Sequence, residues 1–332
     1  MNKIWLIFIG VIIVGSLLFF TSKQDEILVF EVPAFFTKDT VSVLNFGDVM
    51  FDRGVRNIME KRGRDPFEHI KKDLDVIQGF DVVIANLEGP IVEMSRRDCQ
   101  QKAYNFQFAS TTPTLLKSIG ITMVNIANNH SFDCYLKGFV STKKYLTQAG
   151  IDYIGDRDLE KSFVVKTIAE KKVVFVGMDE TVSPLYVSNF YPLIKRLKSE
   201  NDIVIVHIHW GTEYSPTETI AQEAIAHSLI DNGADVIFGH HPHVVEPVEV
   251  YKGKVIFYSL GNFVFDQAGV EQNKGLGAGV EFTEKGNAFT LFPYTLQSFA
   301  PAFLKENERD VFCEEYLKDL VHKGCTFDVE VL

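Results

Sequence analysis

Apolar and polar positions alternate along the chain in a repeating form. Val41 to Asp48 (VSVLNFGD) reads as a buried strand stopping at a Gly-Asp turn. Asp81 to Gly89 (DVVIANLEG) repeats the form and closes on a carboxylate, and Ile121 to His130 (ITMVNIANNH) closes on amides and an imidazole. Asn201 to Gly211 (NDIVIVHIHWG) and Ala234 to His243 (ADVIFGHHPH) complete the series. Between these runs, Pro113 to Ile119, Tyr135 to Ala149, Phe190 to Ser199 and Thr217 to Asn232 carry helical spacing, the last with Gly233 as its stop.

Strand and helix therefore alternate, as in a layered α/β domain. Ser162 to Met178 and Val244 to Phe263 read instead as hairpins, the second turning at Lys252-Gly253-Lys254. Hairpins among crossovers imply mixed sheets packed between helices rather than one parallel sheet. Gly275 to Leu296 reads as two further strands joined at Lys285-Gly286, and Phe299 to Leu332 as a short helix with irregular flanks. The expected organisation is an N-terminal segment over 1–26, a linker over 27–40, one domain over 41–298 and an extension over 299–332.

Composition changes this picture mainly at the N-terminus. An apolar run from Ile4 to Phe20, free of charged residues and flanked by Lys3 and Lys23, is near the lower length limit for a transmembrane helix. It ends in Leu-Leu-Phe-Phe, without the small-residue site of a cleaved signal, so an uncleaved signal anchor is the preferred reading over a secretory peptide. The expectation is a single-pass protein of the cell membrane with its main domain extracytoplasmic. In an oxidising compartment, proximity pairs Cys313 with Cys325 and elimination pairs Cys99 with Cys134; four free thiols are the alternative. A net charge of −11 argues against a nucleic-acid partner, since phosphate contacts require clustered Lys and Arg.

The chemistry lies at the run ends: Asp48, Glu88, Asn129 with His130, His209, and His241 with His243. Ligands of open α/β sheets bind beyond the carboxyl ends of strands, so residues far apart in sequence can converge on one crevice. Carboxylates, an amide oxygen and imidazoles form a mixed oxygen and nitrogen set suited to Mn²⁺, Zn²⁺ or Fe rather than Ca²⁺. Two such ions, about 4 Å apart, can clamp both oxygens of a displacement and acidify water, which points to hydrolysis. Arg53 offers a fork of donors to an anionic substrate, or else caps a helix or pairs with Asp52 or Asp65. Asp133 either orients His130 or caps the helix starting near Tyr135. In an extended segment His240 faces away from His241 and His243, as a residue backing the site rather than lining it.

The stretches LNFGDVMFDRGV, ANLEGPIV, NIANNHSFD, HIHWGTEY and GHHPHVVEPVEVYKGKVIFYSLGNFVFD together resemble the bacterial capsule-synthesis family of CapA and PgsA type, linked to poly-γ-glutamate. The resemblance spans about residues 41–266. That family is similar to the calcineurin-like metallophosphoesterases, which implies a four-layer αββα sandwich with mixed sheets. It further implies Asp48 on a first metal, Glu88 as the bridging carboxylate, Asn129 and His209 on a second, and His241 and His243 at the closing His-x-His. His130 falls at the position of a proton donor to the leaving group. The phosphoesterases usually open with Asp-x-His, where this chain has Asp48-Val49-Met50, and bridge with Asp rather than Glu88. The resemblance implies as partners an anionic polymer such as poly-γ-glutamate, or a phosphoester, and membrane-bound synthase or export subunits. Cutting that polymer and merely binding it for export both remain open on these residues.

Overall fold

The computed structural model describes residues 40–181, 183–317, 320 and 324–330. The apolar run expected to anchor the chain, residues 4–20, lies outside the described residues; among those described, no helix is long and apolar enough to cross a membrane.

In chain order the strands are β1 (Val41–Val49), β2 (Val82–Leu87), β3 (Met123–Asn125), β4 (Asp152–Ile154), β5 (Phe163–Ile168), β6 (Lys171–Asp179), β7 (Ile203–His209) and β8 (Val236–His240). They continue as β9 (Val248–Tyr251), β10 (Lys254–Phe257), β11 (Asn262–Val264), β12 (Lys274–Phe282), β13 (Gly286–Gln297), β14 (Ala300–Phe303) and β15 (Thr326–Glu330). The helices are α1 (Arg53–Arg62), α2 (Leu74–Gln78), α3 (Thr112–Lys117), α4 (Tyr135–Ala149), α5 (Pro184–Val187), α6 (Phe190–Glu200), α7 (Ile220–Asp231) and α8 (Glu306–Tyr316).

Two mixed sheets result, ordered β14-β13-β12-β1-β2-β3-β4 and β5-β6-β7-β8-β10-β9, with β11 beside β1 and β15 beside β13. β1 to β4 run parallel, as do β6, β7, β8 and β10, while the hairpin strands pair antiparallel. Alternate residues of both sheets, including Val43, Ile84, Phe175, Ile205 and Phe238, share one apolar core. The opposite residues of β6 and β7, such as Val174 and Val206, pack with Phe190, Ile194, Ala226 and Leu229 of α6 and α7. Leu44, Val83 and Val124, of opposite parity in the other sheet, are equally buried. β2, buried on both faces, is therefore a near-continuous apolar run, and β1 is buried throughout although it carries Ser42, Asn45 and Asp48.

Local chemistry sets several boundaries. Asn125 Oδ1 accepts the amide of Ala127 at 3.2 Å, a side-chain turn that ends β3 there and leaves residues 126–130 as a loop rather than strand. The helix expected from Thr217 starts at Ile220, because Thr219 and Gln222 form a reciprocal cap. Residues 299–332 hold more than the expected helix: β14 and β15 both pair with β13. Cys99–Cys134 and Cys313–Cys325 are bridged.

Candidate functional site

β1, β2, β7 and β8 deliver their C-terminal ends to one side of the sandwich. Asp48, one residue from the end of β1, is fully buried. Its Oδ1 accepts Asn86 Nδ2 at 2.8 Å, and its Oδ2 accepts the amide of His241 at 3.2 Å. His243 Nδ1 lies 3.2 Å from the same Oδ2, and His240 Nδ1 3.5 Å from Oδ1. Burial alone would raise this carboxyl, but its contacts with His240 and His243 hold it well below the usual carboxylate range.

Glu88, directly after β2, is also fully buried, yet neither carboxylate oxygen has a hydrogen-bond partner. Its Oε1 stands 3.5 Å from His243 Nε2 and 3.9 Å from His130 Nε2. Burial drives this carboxyl well above its ordinary value, as expected for a charge without donors. Burial lowers His243 as well, but Glu88 and Asp48 outweigh it and bring the imidazole up to about 9. His241 goes the other way, to about 4, through burial and the neighbouring His243.

The segment after β8 is not extended. His241 and His243 have φ of 101° and 59° on either side of Pro242, so the chain coils around Asp48. The extended backbone on which His240 would face away is therefore not what forms: its ring stands behind the crevice, between Asp48 and His207, whose Nδ1 is 3.4 Å from His240 Nε2. Holding two non-glycine residues at positive φ costs on the order of 1–3 kcal/mol each, the kind of strain that clusters at functional sites.

His209, the last residue of β7, is fully buried, with Nε2 3.1 Å from Asn129 Oδ1 and Nδ1 3.3 Å from Asn86 Nδ2. Asp48, Glu88 and His209 offer ligand atoms within 4.8 Å of one another, and so do Glu213, His241 and His243. His130 packs on the Phe106 ring, centroids 4.0 Å apart, with Nδ1 2.8 Å from Asp133 Oδ2. Asp133 does not cap α4, whose N-cap is Cys134; it also accepts the amide of Phe106 and pairs with Lys102. Burial lowers the His130 pKa, and Asp133 partly offsets it.

Arg53 is paired with Asp266, not with Asp52 or Asp65, and lies over Tyr104, Phe106 and Phe265. Asp52 is instead held by Arg56 and Arg96. Met50 directs its sulfur to the amide of Asp52, 3.0 Å away. Beside the crevice, a cavity of about 260 Å³ is lined by Ala127, Phe132, Arg157, Met178, Asp179 and Tyr186 among others. Asp179 is the cross-strand neighbour of His209, which puts this cavity one strand away.

The structure thus brings Asp48, Glu88, Asn129, His130, His209, His241 and His243 together, with Asp133 and His240 directly behind them. Sequence reasoning passed over Asn86, Asn262 and Glu213. Asn86 links Asp48, His209, Asn125 and Asn128 in one amide network, and Asn262 Oδ1 lies 3.0 Å from His243 Nδ1. Both amides interrupt apolar strands, a usable signal, because a buried amide is costly unless paired. The donor set fits divalent metal: an orphaned buried carboxylate flanked by imidazoles calls for a positive partner.

A family profile described as bacterial capsule synthesis protein PGA_cap matches residues 42–267. The chain is 30% identical to the PGA biosynthesis protein CapA of Bacillus subtilis (strain 168), over 89% of this chain and 84% of that protein. It is 32% identical to the capsule biosynthesis protein CapA of Bacillus anthracis, over 77% and 67% respectively. A probable polyglutamine synthesis accessory protein of Mycobacterium tuberculosis (strain CDC 1551 / Oshkosh) is 26% identical, over 70% and 76%.

Proposed function

The chain belongs to the bacterial capsule synthesis protein family PGA_cap, and from that premise we propose that it serves poly-γ-glutamate capsule production through a metal-dependent hydrolytic crevice. The observation that carries the hydrolytic part is Glu88: a fully buried carboxylate with both oxygens unpartnered, set among His130, His243 and Asp48. Asp48, Glu88, Asn129, His209, His241 and His243 would hold two divalent ions of the Mn, Zn or Fe kind. Such ions, when bound, supply Lewis acidity and lower the pKa of water.

The remaining work belongs to the chain's own groups. Asp133 Oδ2 accepts from His130 Nδ1–H, which fixes the tautomer and leaves Nε2 toward Glu88 and the crevice. The imidazolium of His130, once formed, is stabilised by Asp133 and delivers its proton from Nε2 to a leaving oxygen or nitrogen. Arg53, stacked among aromatic rings at the crevice, contacts the anionic part of the substrate. The neighbouring cavity receives part of the substrate beyond the bond that is cut.

The two disulfides support an oxidising compartment, and with it a domain outside the membrane held by residues 4–20. Its partners would be the anionic polymer or a phosphoester, and the membrane-bound synthase or export subunits.

One observation favours a second reading, in which the crevice binds polymer for export without cutting it. This chain has Met50 at the position of the second ligand in the Asp-x-His pattern of the resembled phosphoesterases, and its sulfur accepts the Asp52 amide. The experiment that decides is incubation of the Mn²⁺- or Zn²⁺-loaded protein with poly-γ-glutamate and with a phosphodiester. Metal-dependent cleavage that drops by about 10²-fold or more in His130→Gln supports the hydrolase. Polymer binding with no product in either assay supports the carrier.

A further inference from the structure

The crevice contains a carboxylate with no counterpart among the roles assigned above. Glu213 follows Trp210 and Gly211 at the end of β7, and its carboxylate lies within 4.8 Å of ligand nitrogens of both His241 and His243. Its backbone position is set by the site itself. The amide of Tyr214 donates to the Pro242 carbonyl at 2.8 Å, pinning the Glu213–Tyr214 loop across the His-Pro-His turn. Tyr214 OH accepts Gln267 Nε2 at 3.0 Å, a second tie at the next residue. The turn into this loop needs a glycine: Gly211 has φ 83°, and a Cβ there would meet Gln222 at 2.6 Å.

Independent of Glu213, the imidazole of His241 is 8% exposed and its Nδ1 has no hydrogen-bond partner. An unpaired buried polar atom is costly and marks a site that expects something. The sulfur of Met50 does not supply it, being directed at the Asp52 amide.

We propose that Glu213 is a metal ligand, completing with His241 and His243 the coordination left short where Met50 replaces an imidazole. This rests on the reading that the crevice holds divalent ions. A carboxylate is a ligand of the same hardness as Asp48 and Glu88, so the exchange of an imidazole for Glu213 shifts the set toward oxygen and toward Mn²⁺. Glu213 is exposed whereas His241 and His243 are buried, so it would hold the ion from the solvent side of the crevice.

The test is metal stoichiometry and affinity of the full-length protein, loaded with Mn²⁺ or Zn²⁺, for the wild type and for Glu213→Gln, Glu213→Asp and Glu88→Gln. Thermal unfolding without metal serves as the folding control, and Glu213→Gln should match the wild type there because the side chain is exposed. Expected for Glu213→Gln is a loss of affinity for one ion beyond the 10–100-fold typical of a residue standing behind a ligand, with a smaller metal-induced rise in unfolding temperature. Glu213→Asp should fall between. Two ions held by Glu213→Gln as tightly as by the wild type, and lost in Glu88→Gln, would overturn the role of Glu213 and leave the metal centre standing. A wild type that binds neither Mn²⁺ nor Zn²⁺ would overturn both.

Discussion

The Glu88 carboxylate stands 3.5 Å from His243 Nε2, fully buried and without a single hydrogen-bond donor on either oxygen. Desolvation raises the Glu88 carboxyl, and the neighbouring carboxylates of Glu88 and Asp48 raise His243 against its own burial. Such an arrangement destabilises the metal-free protein and becomes favourable with a cation between the groups. Glu88→Gln is therefore expected to unfold in chelator at the same temperature as the wild type or a higher one, while losing most of the stabilisation that added Mn²⁺ gives the wild type. Thermal unfolding with and without metal checks both halves.

Asp133 stands behind His130, with Oδ2 2.8 Å from its Nδ1. Asp133→Asn keeps an oxygen for the Phe106 amide, which donates to Oδ2 at 2.6 Å, but removes the charge behind the imidazole. A fall of about 10–100-fold in kcat is expected, with the His130 limb of the pH–rate profile moved to lower pH, since Asp133 now raises that pKa against burial. An unchanged profile would mean that His130 does not carry the proton.

Glu246 gives a pH dependence outside the crevice. It is fully buried, with Oε2 accepting Gln222 Nε2 at 2.8 Å and Oε1 unpaired, and burial pushes it up to about 8 despite Gln222. The folded pKa lies above the unfolded one, so the folded state holds the proton more tightly. Its contribution to stability is complete below the unfolded value near 4.5 and fades as pH rises toward 8. Glu246→Gln removes that dependence, and its unfolding free energy relative to the wild type should improve by roughly 1–3 kcal/mol between pH 5 and pH 8. Denaturant titrations at the two pH values measure it.

Gly239 precedes the histidine cluster where β8 touches the chain at Tyr258. A Cβ there would lie 1.9 Å from the Tyr258 carbonyl and 2.6 Å from Trp210 Nε1, which itself donates to that carbonyl at 2.9 Å. Gly239→Ala is expected to cost about 3 kcal/mol and to lower metal affinity by displacing His240 and His241. Chemical denaturation alongside a metal titration separates the two effects.

Much of this architecture was legible in the chain. Val41 to Asp48 and Asn201 to Gly211 read as strands because both faces are buried, and their polar ends mark where the sheets stop. The loop over 126–130 was not legible, because Asn125 ends its strand by a side-chain hydrogen bond that an apolar pattern does not register. The coil around Asp48 is equally hidden, because the positive φ of His241 and His243 has no mark in the residue pattern, and it decides which way His240 points. The Arg53 partner is also hidden in the sequence, since Asp266 comes from beyond β11. Glu213 gives no signal for a related reason: it is an exposed acid in a loop, and it comes to the histidines through contacts such as the Tyr214–Pro242 hydrogen bond.

The most direct test of the account is the metal content of the full-length protein by elemental analysis, beside a His241→Ala/His243→Ala variant. Two divalent ions per chain in the wild type and their loss in the variant is the predicted result. A wild-type protein that carries no ion after exposure to Mn²⁺, Zn²⁺ or Fe²⁺ would contradict it.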